Sequence, residues 1–215
     1  MSTSSDDGRA ITPVGLDLVA PEVYAPMLRR LALAAAGIGV GATLLAAIVM
    51  SWTLAVAIGL VVAVPTLVYV FGLRRRQIWL ADNVIHARTM FGERRVDVSA
   101  MSGVQVLVFP DRVSRVALRI TAGAVSQVVP LAMYTDTGSG RELHLLGLRR
   151  LADALAVGNS PAAEAVSSLL VQQLRAEARD AGLEDRPLYR AVEMARAKDM
   201  VSPVVLTDAE VTALG

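Results

Sequence analysis

Between Leu31 and Leu73 the chain carries no charged residue, and this run decides most of what can be built around it. About 20 apolar residues, rising ~1.5 Å each, cross one bilayer core, so the run accommodates two crossings. Met50, Ser51 and Trp52 interrupt it with a small polar residue and an interfacial aromatic between aliphatic stretches. The expected helices span about residues 30–50 and 53–73. A hairpin buried inside a soluble protein would keep a polar face on each helix, and neither stretch has one. A polar N-terminal region precedes the run and no cleavage-like segment follows it, so a removable signal peptide is not expected.

Arg29 and Arg30 precede the first span, Arg74, Arg75 and Arg76 follow the second, and the turn between is uncharged. The excess of cations on cytoplasmic flanks places both termini in the cytoplasm of a multi-pass protein of the cell membrane. The same five arginines are the candidate headgroup contacts. Gly37 and Gly41 on the first helix, and Ala55, Gly59 and Ala63 on the second, recur at four-residue intervals that let two backbones approach in lipid. No ionisable side chain lies inside either span, which leaves a proton relay or ion path in the membrane without residues.

Elsewhere the composition mainly excludes. With no cysteine there is no disulfide framework, thiolate metal site or catalytic thiol. A formal net charge of +1 gives no broad basic surface for nucleic acid. Lys198 is the only lysine, and the alanine-rich, arginine-dominated usage fits a GC-rich bacterial genome.

After Arg76 the pattern changes to short β-type segments at 77–81, 84–90, 94–98, 104–109, 116–121, 126–131 and 141–146. Asp82-Asn83, Phe91-Gly92, Pro110-Asp111, Ala122-Gly123 and the stretch from Asp136 to Gly140 supply turns. Leu148 to Val157 reads as a helix with Leu148, Leu151 and Leu155 on one face, stopped by Gly158 and Asn159. The stretches IHARTMFGERRVDVSAMSGVQV, LRITAGAVSQVVPL and HLLGLRRLADALA resemble the bacterial pleckstrin-homology-like (PH-like) domain, in the group preceded by a two-helix transmembrane hairpin. That resemblance implies an antiparallel β-barrel capped by a helix and used for protein or membrane contacts.

The expected organisation is therefore that of an α+β membrane protein. A polar segment without stable structure (1–28) precedes a transmembrane hairpin (29–73), a PH-like domain with its capping helix (74–158) and a C-terminal helical region (159–215). In that last region Ser160 and Pro161 open a helix carrying Val166, Leu169, Leu170 and Leu174. A second helix, from Pro187 to about Met200, carries Leu188, Val192 and Ala195, and Thr207 with Glu210 forms a capping box.

No catalytic constellation, cofactor motif or metal cluster is legible. His86 and His144 stand apart on separate segments, and Glu93 and Asp97 flank Arg94 and Arg95 as a solvated strand edge would. Arg94, Arg95, Arg112 and Arg115 are a second candidate basic face. The leading expectation is a non-catalytic, membrane-tethered interaction or scaffold module whose partners are the lipid bilayer and another protein, or a second copy of itself. The alternatives are an anionic-lipid-binding module and a small membrane enzyme whose site assembles only in the fold, with the two histidines as its general bases.

Overall fold

The structure, a computed structural model, describes residues 13–19, 21–90, 92–158, 160–198 and 202–215. It divides into two compact units, one made of the chain up to Leu18 with Ile78–His86 and Arg95–Gly215, the other of Val19–Gln77 with Ala87–Arg94.

The second unit is dominated by helices α1 (Pro21–Ala47) and α2 (Trp52–Arg75), both long and apolar enough to cross a bilayer. At ~1.5 Å per residue their lengths are about 40 and 36 Å, more than the ~30 Å hydrocarbon core. The helix that was expected to begin near Arg30 starts at Pro21, a residue suited to a first turn because it has no N–H to leave unpaired. The amides of Ile48, Val49 and Met50 bond back to the carbonyls of Leu45 and Ala46 and end α1.

Small residues set the contact between the helices. Ala55, Gly59 and Ala63 are buried on α2. On α1 the contact stripe is Ala35, Gly39 and Thr43, and not the expected Gly37 and Gly41, where an added Cβ would meet nothing within 4 Å. A Cβ on Gly39 would lie 2.7 Å from Ala63 Cβ and 3.0 Å from the Gly59 carbonyl oxygen. Glycines at 37, 39 and 41 permit two four-residue stripes. The one that is used continues into Thr43, whose hydroxyl donates to the Gly39 carbonyl at 3.0 Å and so hides its own polarity.

The first unit carries two sheets. One has the order β1-β2-β3-β4, from β1 (Val14–Gly15), β2 (Gln77–Ala81), β3 (Val84–Thr89) and β4 (Gly92–Asp97), the outer half of the β3–β4 hairpin grouping with the helices. The other has the order β8-β7-β6-β5-β9, from β5 (Gly103–Phe109), β6 (Val113–Ala122), β7 (Val125–Thr135), β8 (Gly140–Glu142) and β9 (Val204–Val205). Asp82 and Asn83 both take positive φ, as a two-residue type I′ hairpin requires. Pro130 is tolerated inside β7 beside a bulge at Leu131, whose carbonyl accepts the Leu143 amide at 2.8 Å.

Two parts of the expected organisation are corrected. The segment before the hairpin is not wholly unstructured: residues 1–12 lie outside the described residues, but Val14 and Gly15 pair with Leu80 and Trp79, and Leu16 is fully buried. The apolar alternation of Val14 and Leu16 is too short to stand out from sequence, and β2 supplies its partner from across the helices. The expected last strand, 141–146, is cut short after Glu142, because His144 caps the helix α3 (Leu145–Ala156) by accepting the Gly147 amide on Nδ1 at 2.8 Å.

Helices α4 (Pro161–Ala178) and α5 (Pro187–Ala197) bury their stripes within this unit, α4 against α3 and β5, and α5 against β5, β6 and β7. Buried Ser167 ties α4 to α3 by donating to the Ala152 carbonyl at 3.0 Å. The last helix, α6 (Asp208–Leu214), has the capping box expected at Thr207 and Glu210.

The helix contact yields a paired test. A side chain at Gly59 would overlap Thr43 Oγ1, so Gly59→Leu should lower the stability of the helix pair by about 1–3 kcal/mol in detergent titration. Gly37→Leu should stay within about 0.5 kcal/mol of the parent.

Candidate functional site

The helix pair brings Arg29 and Arg30 of α1 to the same end as Arg74, Arg75 and Arg76 at the end of α2, and all five are exposed. Arg75 lies over the Phe71 ring, 4.5 Å from its centroid, a cation–π contact one turn apart on α2. Tyr69 and Phe71 are exposed just before this cluster. The arrangement is an apolar rod ending in an aromatic collar and then in guanidinium groups, which have the planar geometry to grip phosphate.

The four arginines of the second candidate basic face come from two different sheets. Arg112 and Arg115 lie at the β5–β6 turn, where Arg115 approaches Asp111 at 3.8 Å and the Phe109 ring at 5.0 Å, whereas Arg94 and Arg95 belong to β4 in the other sheet.

The two histidines serve separate local purposes. His86 stacks on Trp79 with ring centroids 5.2 Å apart and planes 5° from parallel, and His144 caps α3. Among the described residues no three metal-ligating side chains gather.

Sequence reasoning missed a polar cluster around Glu142. Glu142 Oε1 accepts from the Tyr134 hydroxyl at 2.6 Å, and Oε2 accepts from Gln173 Nε2 and from Arg186 Nη1, each at 2.7 Å. Gln173 Oε1 then accepts the Leu188 amide at 3.1 Å, so one carboxylate joins β8, β7, α4 and the start of α5. Tyr189 meets the Tyr134 ring edge-on at 5.3 Å. Burial and the Glu142 charge push the Tyr134 phenol up and keep it a donor. The one signal in the sequence was Gln173, a polar residue one turn beyond Leu169 and Leu170 on the buried face of α4.

Beside this cluster opens a cleft of about 340 Å³, lined by Tyr134, Glu142, His144, Glu177, Leu183 and Arg186. Glu177 Oε2 is buried there without a hydrogen-bond partner among the described residues. Desolvation, and then repulsion from Glu142, raise its pKa above the usual carboxylate range. Because Glu142 accepts three hydrogen bonds through its two oxygens, its chemistry is that of an anchor for Arg186. A larger groove, about 690 Å³, follows the edge of β5 past Gly103, Val104 and Gln105 and is walled by Ser160, Leu206 and Asp208.

No protein-family model, curated protein or solved structure matches this chain.

The Glu142 cluster predicts opposite effects for two isosteric changes, read as urea midpoints from Trp79 fluorescence of the full chain in micelles with Trp52→Phe. Glu142→Gln leaves Arg186 without its counter-charge and should destabilise by about 2–3 kcal/mol, the low end for a broken buried pair because Arg186 is partly solvated. Glu177→Gln should stabilise at pH 7. With its folded pKa raised, Glu177 favours the fold fully below its unfolded value and loses that contribution as pH rises through the folded value. The gain should therefore vanish below about pH 4, where glutamate is neutral in both states.

Proposed function

We propose that this protein is a non-catalytic interaction or scaffold module, tethered by a two-helix hairpin to the cytoplasmic face of a bacterial plasma membrane. The observation that carries the reading is the outer surface of α1 and α2, where Leu33, Ile38, Leu45 and Val61 are 65%, 62%, 71% and 74% exposed. A patch this extended has no place in water, and lipid is its natural solvent. The arginines gathered at one end set the orientation, with both termini inside and only the turn around Ser51 outside.

For the remainder we propose a PH-like domain. Two successive antiparallel sheets followed by the amphipathic helix α3 support it. The departures are β1, contributed from before the helices, and β9, contributed from after α5. The groove along β5 supports an interaction role, because β9 pairs only with Leu107 and Val108 and leaves the start of β5 as an edge that an extended partner segment can join.

Three measurements test this reading. In intact cells Ser51→Cys should react with an impermeant thiol reagent, while Ser126→Cys should react only after permeabilisation; labelling of Ser126→Cys in sealed cells overturns the orientation. Photo-crosslinkers at Gln105 and Asp208 should capture a protein in the membrane, and repeated recovery of the chain alone removes the interaction claim. Replacing Arg74, Arg75 and Arg76 together by lysine should preserve insertion and orientation, while glutamine at all three should scramble orientation.

A further inference from the structure

We propose that the tip of the β3–β4 hairpin is a second membrane-contact element, which places Met90 in the headgroup layer and offers Arg88 and Arg94 to anionic phospholipid. This rests on the membrane reading of α1 and α2. The first observation is that the hairpin outruns its own core. The last buried residue on β3 is Ala87 and the first on β4 is Val96, while Arg88, Thr89, Gly92, Glu93 and Arg94 between them are all exposed. A two-stranded ribbon with no apolar face is marginal in water, so an extension of this kind needs a surface to lie on.

The second observation is where the extension goes. Residues 87–94 group with the helices and not with the sheets to which the hairpin base belongs. Within that unit Met90 packs over α2, so that a Cβ on Gly72 would lie 3.3 Å from the Met90 sulfur. Gly72 follows Phe71 and precedes Arg74 by two residues, which is about 3 Å along the axis. Met90 thus sits level with the end of the apolar span, between the aromatic collar and the guanidinium groups. Methionine, unbranched and polarizable, suits such a boundary.

The third observation is charge. Arg88 and Arg94 make no ion pair among the described residues, and they join Arg74, Arg75 and Arg76 in the same unit. Glu93 is the one acidic residue of the tip, so cations outnumber it on the ribbon alone. A phosphodiester headgroup is the chemistry that guanidinium forks match. The commitment is to anionic lipid; a second copy of the chain on the same tip is the competing outcome.

The chain's lack of cysteine makes the test direct. Single variants Met90→Cys and Thr89→Cys, spin-labelled in the full chain, are placed in nanodiscs of phosphatidylcholine with or without phosphatidylglycerol. Depth is read from accessibility to oxygen against a nickel chelate, with Leu45→Cys as the acyl-chain reference and Ser126→Cys as the aqueous one. Labels at 89 and 90 should report a depth between the two references. Their oxygen-to-nickel ratio should rise roughly two-fold or more with phosphatidylglycerol. Arg88→Gln with Arg94→Gln should abolish that rise. Aqueous labels at both tip positions, with Leu45→Cys in lipid, overturn this proposal alone. An aqueous Leu45→Cys overturns the membrane reading and this proposal with it. Indifference to phosphatidylglycerol overturns the anionic-lipid assignment, and dipolar broadening between labels of two copies assigns the tip to self-association instead.

Discussion

Two helices whose outer faces are aliphatic along their length leave an apolar surplus that neither helix can bury on the other. The helices satisfy their own backbone hydrogen bonds along their length. The contact they do make is built from the smallest residues available, Ala35 and Gly39 against Gly59 and Ala63, because close backbone approach yields dispersion contacts. The hairpin returns the chain to the side it left, which lets Val14 and Gly15, from before the helices, pair with Leu80 and Trp79, from after them. The sheet unit is consequently not a contiguous stretch of sequence.

Inside that unit a polar constraint complements the apolar one. The Glu142 side chain is almost fully buried, and leaving any of its lone pairs dry would be costly, so Tyr134, Gln173 and Arg186 converge on it from three other segments. Those contacts are directional where the surrounding leucine and valine packing is not, and they set the rotation of α4 and the starting point of α5 relative to β7 and β8. Glu177 stands at the margin of the cluster as a like charge that the site leaves unsatisfied.

How much of this could be read beforehand depended on the range of the interaction involved. The charge-free run, the Asp82-Asn83 turn, the position of β2 and the capping box of α6 are local, and the residues that create them lie within a few positions of one another. The phase of the helix contact was lost because glycines at 37, 39 and 41 fit two stripes equally and only the partner helix chooses. His144 sat beside a β-type run, and its role as a cap depends on a single ring nitrogen reaching Gly147. The Glu142 cluster joins residues 31 and 44 positions away from the glutamate, and nothing in periodicity encodes such a meeting beyond the misplaced polarity of Gln173. The β3–β4 hairpin read as an ordinary pair of strands, and that its tip leaves the core shows only in the burial pattern.

The C-terminal segment bears on what the β5 edge can do. An exposed strand edge invites pairing, and β9 covers only Leu107 and Val108 of it, with the Leu206 amide reaching the Val106 carbonyl at 3.0 Å as the last contact. What holds this short cover in place is Glu210, which accepts from Lys198 and from the Thr207 amide and hydroxyl, clamping the residues on either side of β9. The Lys198 and Thr207 hydrogen bonds depress its pKa to about 2, so its contribution is complete above the usual carboxylate range and is lost only as pH falls toward that value. At neutral pH the clamp stays closed, the end of β5 stays covered, and its beginning from Gly103 to Gln105 stays available. The edge is thereby limited to a short register that can seat a few residues of a partner without offering the long, flat template on which sheets aggregate.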